Sequence, residues 1–216
     1  ANPALRAAAD ETEQLARRLG WCGAVAVRDG GEARVVDVFD FGPPFGPRAK
    51  VGQTIELVPP FGAVFVAWHG DDVDAWLAYA EDRSARTQYR TSLETIRQRG
   101  YSITLATQRN PELAQALETL TERPNATDAR RRRDELIQQM MHASTLATEL
   151  ADDTAARISQ ISAPVFDAAG GATTSIMLVG PDYDITGAEA AQLGRGIADA
   201  AARATERGGG RRPETW

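Results

Sequence analysis

Cysteine, histidine and lysine are nearly missing from this 216-residue chain: Cys22 is the one cysteine, His69 and His142 are the two histidines, and Lys50 is the one lysine. A single cysteine excludes an intrachain disulfide and a thiolate zinc cluster, and it fits a reducing cytoplasm. Neither histidine shows a metal-ligand spacing such as H-E-x-x-H, so neither a metal nor a cofactor is expected. Long apolar runs are missing too. Ala63–Trp68 and Ser175–Val179 fall far short of the roughly 20 residues that cross a bilayer, and no signal peptide is visible. The expectation is a soluble cytoplasmic protein with no membrane partner. Positive charge is in deficit: a net charge of −6 and a pI near 5.1 argue against a nucleic-acid surface, which needs clustered Lys and Arg.

Catalytic signatures are absent as well. There is no G-x-S-x-G elbow and no phosphate-cradling G-x-x-x-x-G-K-[ST]. Cys22 would act as a nucleophile only beside a base and a positive field, and its place in an apolar run after Trp21 predicts a buried, inert thiol. An enzyme would need a pair that only folding brings together, such as Cys22 with His69. The run Arg130-Arg131-Arg132-Arg133 points around more than one helical turn and is offset by Asp128, Asp134 and Glu135, which predicts a solvated helix rather than a basic face. Met140-Met141 has the spacing of ordinary core packing, and His69, after Trp68, reads as a helix C-terminal histidine.

What is present is a regular alternation of helix and strand signals. Asn2 caps and Pro3 opens a first helix, with Leu5, Ala8, Thr12, Leu15 and Leu19 at helical spacing and Gly20 ending the stripe. Cys22–Val27 and Ala33–Phe39 flank Arg28-Asp29-Gly30-Gly31-Glu32, a hairpin signal. Val51–Val58 alternates like a half-buried strand, and Pro59-Pro60-Phe61-Gly62 then turns into Ala63–Trp68. The stripe of Val73, Trp76, Leu77 and Ala80, capped by Asp71 or Asp72, marks one helix. Tyr89, Leu93 and Ile96 mark another that stops at Gly100, and Tyr101–Ala106 forms a strand. The last helix opens with a capping box, Thr186-Gly187-Ala188-Glu189.

Two stretches carry more than secondary structure. Ile161-Ser162-Ala163-Pro164-Val165-Phe166-Asp167-Ala168-Ala169-Gly170-Gly171, followed by Thr174–Pro181, is an apolar strand, a tight turn and a second apolar strand. Upstream, Arg97-Gln98-Arg99-Gly100-Tyr101 ends a helix on glycine and enters a strand directly. This "RGY" step and the "A-PVFD-x-x-G" hairpin before a Gly-Pro resemble the effector-binding domain of IclR-type transcription regulators. The resemblance implies an α+β fold of the GAF-like kind, a twisted antiparallel sheet with helices on its faces, and a small-molecule sensor that pairs into homodimers or homotetramers. It implies DNA contact only through an N-terminal winged helix-turn-helix. That part is absent from this chain, which starts without methionine and reads as an excised fragment.

The resemblance also implies where an effector sits. The backbone positions heading the post-strand helix fall on Phe61, Gly62 and Ala63, in a turn that runs to Phe65. The polar position after "GY-x-x" is Thr104, the position before Ile161 is Gln160, and Ser162 precedes Ala163-Pro164. Two positions that carry hydroxyls in sensors of small hydrophilic acids are Met177 and Val179 here. A small organic effector more apolar than glyoxylate or pyruvate is therefore expected, with aromatic acids or acyl compounds fitting best and few polar anchors: Thr104, Gln160 and the Gly62 and Ala63 amides. The alternative is a ligand-free scaffold serving only as a dimerisation module.

The sensor domain is expected over residues 1–206, with a mobile glycine-rich tail at 207–216. A helical insertion at about 107–159 departs from the commoner family pattern. It carries Asn110-Pro111, Leu113, Leu117 and Leu120, then a longer helix from Thr127 with Leu136, Met140, Ala143 and Leu146. It could lie over the pocket, extend an interface between copies, or decorate the sheet.

Overall fold

The structure, a computed structural model, describes residues 2–44, 46–106, 111–123, 126–132, 135, 146–181 and 183–214. The first helix, α1 (Pro3–Leu19), is nucleated by its own start signal: the Asn2 side chain accepts from the Ala4 N–H, and Gly20 ends the helix in the left-handed region at φ 67°. Two strands follow, β1 (Cys22–Asp29) and β2 (Glu32–Asp40), joined at Gly30, whose φ of 60° suits the tight turn. A short strand β3 (Thr54–Glu56) and three helices come next: α2 (Ala63–Val66), α3 (Gly70–Leu77) and α4 (Arg83–Arg99). Asp82 caps α4 by accepting from the Ala85 N–H, and Gly100 closes it. Beyond β4 (Ser102–Leu105) and α5 (Pro111–Glu122) lie β5 (Ala155–Phe166), β6 (Ala172–Val179), β7 (Asp184–Thr186) and the C-terminal helix α6 (Gly187–Arg207). The capping box of α6 forms as its sequence predicts, Glu189 accepting from the Thr186 N–H while the Thr186 hydroxyl accepts from the Glu189 N–H.

Among the described residues the strands make a seven-stranded antiparallel sheet in the order β3-β2-β1-β6-β5-β4, with β7 pairing the start of β5. This is the expected α+β architecture. Alternation along the strands separates two cores. Val25, Ile161, Ala163, Val165, Ile176 and Leu178 point to one face, under α1 and α6, which Arg203 and Arg207 of α6 tie together by donating to the buried Glu11 carboxylate of α1. Ala26, Ala33, Phe166 and Ala172 point to the other, under α2, α3 and α4, where Trp68 of the α2–α3 link, Trp76 of α3, and Tyr89 and Leu93 of α4 are buried. Pro164 sits beyond the last β4–β5 pair, Ser102 with Ser162, so on that side its missing N–H breaks no ladder.

Several expectations need correction. The strand anticipated over Val51–Val58 is three residues long, because the chain first turns at Gly52 (φ 85°) and ties back to Val35 on both sides of it. The helix after Gly62 is one turn. His69 precedes α3 rather than ending a helix, its Nε2 lying 3.2 Å from the Gly170 carbonyl oxygen, and Asp71 and Asp72 occupy the first turn of α3 rather than its cap. β5 begins at Ala155, inside the stretch read as insertion; of residues 155–160 only Ile158 is strongly apolar, which hides the strand from a periodicity reading. Leu146 does not continue a helix but forms an isolated antiparallel bridge with Thr104. Asn110, Leu136, Met140, Met141, His142 and Ala143 lie outside the described residues. Over the stretch read as a mobile tail, Gly210 donates to the Thr205 carbonyl, Arg211 to that of Asp167, and the Arg212 guanidinium stands 5.2 Å over the Trp68 ring.

Candidate functional site

The face of the sheet turned toward α2 is laid out by strand register. One row across it reads Ser102, Ser162, Met177, Ala24, and the next reads Thr104, Gln160, Val179, Cys22. Above these rows stands the turn from Phe61 to Phe65. Gly62 holds φ 74° with Leu57 packed so close that a Cβ there would come within 2.4 Å of Leu57 Cδ2, so the turn needs glycine. Trp76 of α3 donates its indole N–H to the Phe61 carbonyl at 2.8 Å, fixing the turn against the helix below it. Arg28 at the end of β1 clamps α3 in turn, donating to both carboxylate oxygens of Asp72 at 2.8 Å. That pair is partly buried, and the Arg28 hydrogen bonds hold the Asp72 carboxyl below its ordinary range.

Between turn and sheet lies a cavity of about 280 Å³. All nine residues singled out from the resemblance, Phe61, Gly62, Ala63, Phe65, Thr104, Gln160, Ser162, Met177 and Val179, line this one space. The helix headed by Gly62 and Ala63 is a single turn, so its dipole is small; the two amides still head the turn, ahead of its first bond from the Phe65 N–H to the Gly62 carbonyl.

The floor is more polar than the sequence reading allowed. Ser102 and Ser162 are buried and share a hydrogen bond of 2.7 Å. Ser175, fully buried two residues before Met177 on the same strand face, also lines the space, and its hydroxyl has no hydrogen-bond partner among the described residues. Ser102 and Ser175 were missed. The signal was available: Ser175 continues the i, i+2 series of Met177 and Val179. Arg48 reaches the rim from the loop after β2, donating to the Asp40 carboxylate and to the carbonyls of Pro43 and Gly46, the latter two at 2.8 Å.

The end of the insertion also reaches the site. Leu146 lines the cavity beside Thr104. It is held there by the Ala147 N–H donating to the Ile103 carbonyl at 3.0 Å and by Arg99 of the "RGY" step. The Arg99 guanidinium donates to the carbonyls of Tyr101, Ala147 and Thr148 at 2.8, 3.0 and 3.1 Å and lies 4.7 Å over the Tyr101 ring. Burial lowers the Arg99 pKa from its ordinary value. Lys50 of the loop after β2 pairs with Glu118 of α5. Within the stretch read as insertion, Leu146 thus sits beside the cavity.

Little here resembles a reaction centre. Cys22 is buried next to Val179 in register, and burial pushes its thiol pKa up, away from the reactive thiolate. His69 does not line the cavity and lies with its Nε2 against the Gly170 carbonyl. No group of three His, Cys, Asp or Glu side chains that could hold a metal occurs among the described residues, and no described helix is long and apolar enough to cross a membrane.

No family model and no curated protein sequence matches the chain. Solved structures do. A domain of an IclR-family transcriptional regulator superposes with a TM-score of 0.66 at 20% identity, covering 99% of this chain and 100% of that one. The fold is that of the IclR regulator C-terminal domain. The C-terminal domain of the E. coli regulator KdgR matches with a TM-score of 0.59 at 14% identity, over 96% of this chain and 99% of its own. The Thermotoga maritima IclR matches at 0.61 and 13% identity, with 95% of this chain aligned to 68% of that one.

Proposed function

We propose that this chain is the ligand-sensing and oligomerising domain of an IclR-type transcription regulator, binding a small organic effector in the cavity between the Phe61–Phe65 turn and the sheet. One observation carries the reading. Nine positions from four separate segments, the ones the resemblance implies, line a single space that the chain leaves unfilled. A protein core normally closes such a space, because unfilled volume forfeits packing, so a cavity of about 280 Å³ with convergent hydroxyls favours a ligand site over a pure scaffold. DNA contact belongs to a winged helix-turn-helix domain that is not among these residues, in keeping with the net charge of −6.

The effector is larger and more apolar than glyoxylate or pyruvate, because Met177, Val179, Phe65, Val64 and Ala26 all line the cavity. A thermal-shift screen tests this directly. Aromatic and acyl compounds should raise the melting temperature, while glyoxylate and pyruvate should not. A ligand at 100 times its Kd adds about 2.7 kcal/mol, a shift well within detection. Val179→Trp should abolish the response by filling the cavity. A clear shift with glyoxylate, or an unchanged response in Val179→Trp, rules out this assignment, and silence from all compounds favours the scaffold. Pairing is tested by sedimentation, where only a 23.3 kDa species at tens of micromolar would count against an oligomer.

A further inference from the structure

Ser175 carries the one fully buried cavity hydroxyl left without a hydrogen-bond partner among the described residues. Ser175 sits in the middle of β6, opposite Ala26 of β1 and Pro164 of β5. Neither neighbouring side chain can form a hydrogen bond, and the next residue on the same face is Met177. Three neighbouring hydroxyls differ: Ser102 and Ser162 bond each other, and Ser159 donates to the Thr104 carbonyl at 3.1 Å. Ser175 alone is fully buried, turned to the cavity and without a partner among the described residues. A buried hydroxyl in that state costs stability, so its retention on an otherwise apolar strip points to a bond made with something bound.

The cavity also constrains the charge of what is bound. Arg48 is the only charged side chain among its described lining residues, and its guanidinium is already engaged with the Asp40 carboxylate and two backbone carbonyls. A carboxylate pushed down to Ser175 would shed its water and meet hydroxyls but no free cation, an arrangement that disfavours the charged form. A carbonyl oxygen loses far less on entry and accepts the Ser175 proton.

Building on the effector-sensing reading above, we propose that the effector is a neutral carbonyl compound, an amide, ester or ketone, whose oxygen accepts a hydrogen bond from Ser175 Oγ while its carbon skeleton lies on Met177, Val179 and Phe65. About 280 Å³ is the space of roughly nine waters at ~30 Å³ each, enough for one ring and a short polar arm.

Matched probe pairs test it: benzamide against benzoate, phenylacetamide against phenylacetate, and butyramide against butyrate, each at equal millimolar concentration in a thermal-unfolding assay. The amides should stabilise the wild-type chain and the carboxylates should not, which narrows the aromatic and acyl compounds of the sensor reading to their neutral members. Ser175→Ala should cut the amide shift in binding constant at least about threefold, the loss of one hydrogen bond. Without ligand, Ser175→Ala should melt at the wild-type temperature or above it, because it deletes an unpaired hydroxyl. Carboxylates that stabilise as well as the amides overturn the neutral-carbonyl assignment. If Val179→Trp abolishes their shift, the sensor reading survives that failure. An amide shift retained in Ser175→Ala, or a lowered melting point for that variant alone, also overturns the proposal, and silence from every probe overturns it together with the sensor reading.

Discussion

Replacing Arg99 with methionine isolates the interaction that holds the end of the insertion against the sheet. Methionine keeps an apolar stem of similar length over the Tyr101 ring and deletes three donated hydrogen bonds, to the carbonyls of Tyr101, Ala147 and Thr148. Bonds from a charged donor contribute about 1.5–3 kcal/mol each in mutational series. Their sum must be discounted, since the burial that lowers the Arg99 pKa is itself a desolvation cost of several kcal/mol that methionine avoids. Water can also reach the freed Thr148 carbonyl. About 2–3 kcal/mol remains, concentrated on residues 146–148 rather than on the sheet. The Ala147 N–H, which donates to Ile103, should therefore exchange about 30–150 times faster, at 1.4 kcal/mol per factor of ten. Arg99→Lys should recover little, because an ammonium cannot fork across three carbonyls. Native-state hydrogen exchange with a parallel urea titration measures both quantities. Uniform destabilisation with no local acceleration at Ala147 would refute the clamp, as would an Arg99→Lys variant indistinguishable from wild type.

Two further substitutions probe the turn and its support. Gly62→Ala should destabilise by about 2–4 kcal/mol in urea unfolding, from its φ of 74° and the 2.4 Å approach of Leu57 Cδ2; a loss under 1 kcal/mol would mean that the turn relaxes freely. For Asp72→Asn the effect depends on pH. The folded carboxyl titrates below its unfolded value of about 3.9 because Arg28 donates to it, so its stabilisation is complete at neutral pH and is lost as pH falls through the folded pKa. The stability gap between wild type and Asp72→Asn should accordingly be largest near pH 7 and close below about pH 4; a gap that stays constant down to pH 2 would show that the ionised pair contributes nothing.

Local signals carried most of the elements. Caps and stops such as Asn2, Gly20, Gly100 and the Thr186–Glu189 box act through bonds within a few residues, so their outcome is written in the adjacent sequence. The same holds for the Gly30 and Gly170 turns. Where the chain answered to distant partners, the reading slipped. Val51 and Gly52 alternate like strand residues, yet backbone bonds to Val35 pull them into a turn, and Leu146 reads as part of a helical stripe but is placed by Arg99 and Ile103.

By itself, then, the sequence determined where α1, α4 and α6 start or stop, the two apolar strands flanking the Asp167–Gly171 turn, and that Met177 and Val179 share a face, because caps, turns and periods two and 3.6 are properties of the local backbone. Only the tertiary structure decided that Ser102, 60 residues away along the chain, meets Ser162, and that Ser175 between Ala26 and Pro164 is left with no partner among the described residues. Register across non-adjacent strands selects those neighbours. A hydroxyl's partner is a property of three-dimensional packing, and no pattern along one strand contains it.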